Sequence, residues 1–187
     1  MEPLRFATPR AFEAWLRKNH ASSDGAWLLI AKAGAEEATV TYAQAVDIAL
    51  CYGWIDGQKK GLDEQHWLQR FTPRRARSLW SKVNREKAEA LVKAGRMKPS
   101  GMAEITRAKD DGRWEAAYDG ARTAAVPPDL QAALDARPKA RSFFARLDAA
   151  NRYAVLWRVQ TAKRPETRAK RIETLVDMLA RGEKIHG

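Results

Sequence analysis

Apolar positions recur along the chain with two periods, and the elements change where the period changes. After Thr8, the run PRAFEAWLRKNH places Phe12, Trp15 and Leu16 on one face at helical spacing. With Thr8 as N-cap and Pro9 in the first helical position, this predicts a helix. Ser22, Ser23, Asp24 and Gly25 break it, and AWLLIAKAG from Ala26 is apolar on both alternating faces, which predicts a strand covered on both sides. Thr41 caps a second helix with Ala45, Ile48, Ala49 and Tyr52 turned inward, ended by Gly53. In GWIDGQKKGLDEQHWLQRF the glycines at 53, 57 and 61 punctuate extended residues, predicting two short strands with Asp56-Gly57 as turn residues.

From Ser81 the helical period returns, with Val83, the Lys87 stem, Ala90, Leu91 and Ala94 on one face. On the same helix Lys82, Arg85, Glu89, Lys93 and Arg96 are expected to turn outward. Pro99 starts another helix through Met102, Ile105 and Ala108, closed by Asp111-Gly112. Tyr118 to Leu130 carries turn chemistry and weak periodicity and reads as a linker. Four helices follow, over 128–136, 138–147, 148–162 and 165–181, the last with Ile172, Leu175, Val176 and Leu179 at i, i+3, i+4 and i+7. The expected fold is α+β and mainly helical. An N-terminal unit (1–118) holds a small antiparallel sheet flanked by helices, residues 119–127 link, and a C-terminal helical unit spans 128–187.

Composition narrows the partner rather than the fold. A 45% hydrophobic content with seven tryptophans excludes a disordered chain. The net charge of +11 lies in two blocks: residues 70–98 hold ten lysines and arginines against two glutamates, and residues 152–172 hold seven against one. A chain merely rich in arginine would spread its charge evenly, whereas residues 1–58 carry five basic and seven acidic side chains. Segregated cations suit an anionic partner: nucleic acid, a phosphorylated ligand or an acidic surface. Cys51 is the single cysteine, so no intramolecular disulfide is expected. The N-terminal residues carry no apolar run with a small-residue cleavage site and no stretch of about twenty apolar residues occurs, so the chain reads as cytoplasmic.

Chemistry-bearing patterns are sparse. Cys51, near the end of an apolar helix, reads as a buried structural thiol, and the histidines at 20, 66 and 186 have no metal-ligand spacing. Neither a metal, a cofactor nor a catalytic set is expected. Asp47 and Asp56 could face one another beside Tyr42, Tyr52 and Trp54, but Asp47 equally suits the polar face of its helix. The basic-aromatic stretch is more specific. Arg70, Arg74, Arg75, Arg77, Lys82 and Arg85 surround Phe71 and Trp80, the mixture that holds phosphates and stacks unpaired bases, although large aromatic residues equally fill cores. In the second block Arg164, Arg168, Lys170 and Arg171 sit where one helix ends and the next begins, and Arg164 and Arg168 could frame an anion at that helix N-terminus.

The runs ALCYGWIDGQKKGLDEQHWLQRFTPRRARSLWSKVN, GRMKPSGMAEITRAKDDGRWEAAYD and AKRPETRAKRIETLVDML resemble the YdeI/OmpD-associated, bacteriocin-protection family, from about Phe6 to Leu179. The GWIDG residues 53–57 carry the likeness together with Arg70, Phe71, Thr72, Pro73, Arg74, Arg75, Ser78, Trp80, Ser81 and Asn84. The resemblance implies tolerance of bacteriocins or antimicrobial peptides and brings no reaction with it. At +11 the chain would repel cationic peptides within about a Debye length, so direct capture of such peptides is disfavoured. The expectation is a non-enzymatic tolerance protein that binds an anionic partner, nucleic acid favoured, through the two basic blocks. Two alternatives stand beside it: a small-molecule or catalytic pocket where GWIDG meets FTPRR, lined by Trp54, Asp56, Lys59 and Ser78, and an interaction module for an acidic protein.

Overall fold

Thr8 caps the first helix as its position dictates. Its hydroxyl accepts from the Ala11 amide at 3.2 Å, Pro9 fills the first turn, and α1 runs Pro9–Asn19 with Phe12 and Leu16 buried. A computed structural model describes residues 2–187 and divides them into two units. One comprises residues up to Trp80 with Asn84–Ala117, the other Ser81–Val83 with Tyr118–Gly187.

In the first unit, β1 (Ala26–Ala31), β2 (Trp54–Gly61) and β3 (His66–Pro73) form an antiparallel sheet in the order β1-β3-β2. α2 (Tyr42–Cys51) opens with a reciprocal cap: Thr41 accepts from the Gln44 amide, and the Gln44 side chain accepts from the Thr41 amide. Ala26, Leu28, Ile30, Trp54 and Phe71 share one core with Phe12, Leu16, Ala45 and Ile48, which places helices over one sheet face. β1 is not covered on both sides, as its all-apolar sequence suggests. Its residues alternate between buried and partly exposed, and Trp27 and Leu29 lie outside the core.

The hairpin turn also differs from expectation. Asp56-Gly57 lies inside β2 at a register shift, and the chain reverses over residues 62–65. There the Asp63 carboxylate accepts from the Gln65 and His66 amides at 2.8 and 2.6 Å and holds the bend without Asn-Gly chemistry. The shifted register leaves the Gly57 and Gln58 carbonyls off the ladder, and the buried Gln69 amide donates to both, at 2.9 and 3.2 Å. Gly53, which joins α2 to β2, adopts φ +75°, and a Cβ on it would stand 2.9 Å from the Ser100 carbonyl oxygen.

α3 (Lys82–Lys93) and α4 (Pro99–Asp110) follow; α4 buries Ile105 and Ala108 as its sequence suggests, while α3 is buried on a face rotated from the expected one. Ala88 and Leu91 are buried in α3 while Val83, Ala90 and Ala94 are exposed, and Gly101 is buried in α4 while Met102 is exposed. The Lys87 ammonium pairs with Asp47 of α2 at 2.6 Å. The second unit packs α5 (Pro128–Asp135), α6 (Pro138–Ala145), α7 (Ala149–Gln160) and α8 (Pro165–Ala180) around Leu130, Leu134, Phe144, Val155, Val159 and Leu179. The molecule is thus a mainly helical α+β protein with a small antiparallel sheet and C-terminal helices.

Candidate anion-binding surfaces

The residues between β3 and α3 form a structural knot rather than an open basic surface. Trp80 is 2% exposed and meets Trp114 edge to face at 4.8 Å. The Arg74 guanidinium stacks on the Trp80 ring at 3.5 Å and donates to the Leu79 carbonyl, and Arg74 itself is 5% exposed. Arg113, 4% exposed, donates to both Asp111 oxygens and to the Ser78 carbonyl, and Arg85 donates to the Trp114 carbonyl at 3.2 Å. Ser78 accepts from the Arg75 amide and closes the turn. Phe71 is fully buried against Phe12. Neither Phe71 nor Trp80 can stack a base, and Arg74 is withdrawn from any surface ligand. Of the expected cations in this stretch, Arg75 and Arg77 are exposed, and Lys82 pairs with Asp119 at 2.8 Å.

The second block divides in the same manner. Arg168 forms a forked pair with Asp129 at 2.6 and 2.8 Å and donates to the Val159 carbonyl. Those bonds hold the Asp129 carboxyl below the usual carboxylate range and remove Arg168 from the anion frame expected with Arg164. Arg171 donates to the Arg158 carbonyl at 2.7 Å near the end of α7, while Arg164 and Lys170 remain exposed.

The expected small-molecule pocket is only half assembled. Trp54 is buried and donates its indole N–H to the His20 carbonyl, and Ser78 lies in the knot. Asp56 and Lys59 do come together with Tyr42: the Tyr42 hydroxyl donates to Asp56 at 2.7 Å, and the Lys59 ammonium lies over Trp67, whose ring meets that of Tyr42 at 5.6 Å. Asp47 instead faces Lys87, so the two aspartates make no acid-base pair. Burial pushes the Cys51 thiol up, which favours the unreactive protonated form. Among the described residues no group of three or more His, Cys, Asp or Glu is placed to hold a metal, and no helix is long and apolar enough to cross a membrane.

Two surfaces do combine cations with accessible apolar or aromatic groups. The first is the sheet face away from the helices. β1–β3 register sets Trp27 opposite Arg70 and Leu29 opposite Leu68, and β2–β3 register sets Lys60 opposite Leu68. The Lys60 ammonium lies 4.8 Å and the Arg70 guanidinium 5.7 Å from the Trp27 ring. Trp27, Leu29, Leu68 and Arg70 are all partly exposed. The second is a groove between α7 and α8 in the helical unit, lined by Trp157, Arg158, Lys170, Arg171 and Lys184 without any carboxylate. Trp27, Trp157 and Lys184 were not expected at a site from sequence, whereas Arg158 belongs to the second basic block. Alternation along β1 could have marked Trp27; nothing local marks Lys184.

Residues 4–104 match a family described as a domain of unknown function, DUF8412, and residues 123–182 match the family described as Bacteriocin-protection, YdeI or OmpD-Associated. The GWIDG and FTPRR elements fall in the first of these matches, the run AKRPETRAKRIETLVDML in the second. No curated protein and no solved structure matches the chain. Since the first match covers more than half of the residues, the chain belongs to that domain family of unknown function, and its C-terminal helical unit carries the bacteriocin-protection, YdeI or OmpD-associated domain.

Proposed function

We propose that the chain is a non-enzymatic cytoplasmic protein of stress or antimicrobial tolerance that works by binding an anionic partner, single-stranded nucleic acid being favoured. The tolerance role rests on the family description of the C-terminal domain, which names bacteriocin protection. The carrying observation for the partner is the cluster of Trp27 with Lys60 and Arg70, whose cationic groups reach over the indole ring from the other two strands, on the sheet face away from the core. Unpaired bases stack on flat side chains while flanking cations neutralise phosphates, and a twisted antiparallel face offers both at once. The charge of +11 adds long-range attraction for a polyanion and disfavours direct capture of cationic peptides.

The test is fluorescence anisotropy with labelled single-stranded and duplex DNA and RNA across a salt series, using the protein and a Lys60→Glu/Arg70→Glu variant. Expected are a preference for single strands, a steep fall of affinity with salt and a loss of about tenfold or more in the variant. Absence of binding at low salt would sink the nucleic-acid reading, and binding that the variant retains would remove it from the sheet.

A further inference from the structure

The groove between α7 and α8 has a directional composition. Along α8 it is lined by Thr167, Lys170, Arg171, Thr174, Leu175 and Met178, a stripe of roughly 16 Å at the helical rise. The first four are polar or cationic, the last two apolar. α7 adds Trp157, 37% exposed, and Arg158, on the turns nearest the joint with α8. The far end is closed by Lys184 and Ile185. That wall is built in: the side-chain Oδ1 of the buried Asn151 accepts from the Ile185 and His186 amides at 3.1 and 2.8 Å. Arg171 is likewise fixed, donating to the Arg158 carbonyl and to Thr161.

The volume is about 730 Å³, inside the range of small-molecule sites, which place a few convergent polar groups in a mainly apolar cleft. Four cations line it and no carboxylate does; among the described residues Lys170 has no acidic partner within ion-pair reach, and Lys184, at the far end, reaches Asp148 at 3.9 Å. An apolar floor with an uncompensated cationic end calls for a ligand with the opposite arrangement: an anionic head on an apolar body. An inorganic anion would leave Leu175, Met178 and Ile185 unused, and a neutral lipid would leave the cations without a counter-charge. We propose that this groove is a binding site for a single-tailed anionic amphiphile, a long-chain carboxylate in its simplest form. The head meets Lys170, Arg171 and Arg158, and the tail follows Leu175 and Met178 to Ile185. This site is separate in residues and chemistry from the sheet face.

The experiment is titration of the full chain with oleate below its micellar concentration. Calorimetry gives affinity and stoichiometry, and backbone amide and Trp157 indole NMR shifts give location. Oleyl alcohol, inorganic phosphate and a single-stranded oligonucleotide serve as comparison ligands. Expected are one oleate per chain, shifts confined to residues 157–178 and 184–185, and binding at least about tenfold weaker for oleyl alcohol and for phosphate. Lys170→Glu, on an exposed position, is expected to weaken oleate about tenfold with an unchanged melting temperature, while Lys60→Glu/Arg70→Glu leaves it untouched. No binding, shifts outside the groove, equal binding of the alcohol or phosphate, or displacement of oleate by the oligonucleotide would each overturn the assignment. Loss of nucleic-acid binding alone would not, since no residue is shared.

Discussion

Each arginine in the FTPRR stretch has its own fate, decided by what lies within reach of the guanidinium. Arg74 sits on Trp80 and is buried, whereas Arg75 and Arg77 are exposed in the same loop. Arg74→Ala is therefore expected to cost about 2–4 kcal/mol, through lost stacking and hydrogen bonding in a buried site. Arg77→Ala should stay within about 0.5 kcal/mol, and urea denaturation of the two variants separates them. The forked Arg168–Asp129 pair predicts a pH effect. The Asp129 carboxyl titrates below its ordinary value in the folded state, so its contribution is present above about pH 4 and lost as the pH falls through the depressed value. Asp129→Asn should flatten the acid limb of the stability profile of the helical unit, with no added loss as pH drops below about 4.

At the scale of elements, local signals located helices better than they located faces. Proline and capping residues at Thr8-Pro9, Thr41 and Pro165 mark helix starts because they act on the backbone within one turn. Thr41→Ala should cost about 1 kcal/mol, read as a lower urea midpoint with an unchanged slope, because it removes the hydroxyl that accepts from the Gln44 amide while the backbone amide of residue 41 still donates to the Gln44 side chain. Which side of α3 is buried was not legible, since an Ala-rich amphipathic pattern tolerates a rotation of one position and the core that Ala88 and Leu91 join is built from residues distant in sequence. The turn of the β2–β3 hairpin was misplaced for a similar reason. Asp56-Gly57 carries the stronger local signal, but Gln69 from β3 satisfies the carbonyls of an irregular strand there, and Asp63 supplies the actual bend.

For the molecule as a whole, net charge predicts attraction and geometry predicts where it acts. If the sheet face holds phosphates, Lys60→Ala and Arg70→Ala should each lower the slope of log affinity against log salt by about 1, and the effect should be nearly uniform across base sequences. Trp27→Ala should leave that slope unchanged and weaken single-strand binding by about 1–3 kcal/mol, measured by the same anisotropy titration. The sequence by itself determined the class of fold, the helix boundaries and the sign of the charge, because periodicity, caps and composition are local or additive. Which cations stay available was decided only in three dimensions. Arg74, Arg85 and Arg168 look identical to Arg75 and Arg77 in the linear chain. The first three find carbonyls, an aspartate or an indole ring brought close by packing, and the other two stay exposed. A guanidinium's role is set by the acceptors around it, and those come from residues distant in sequence.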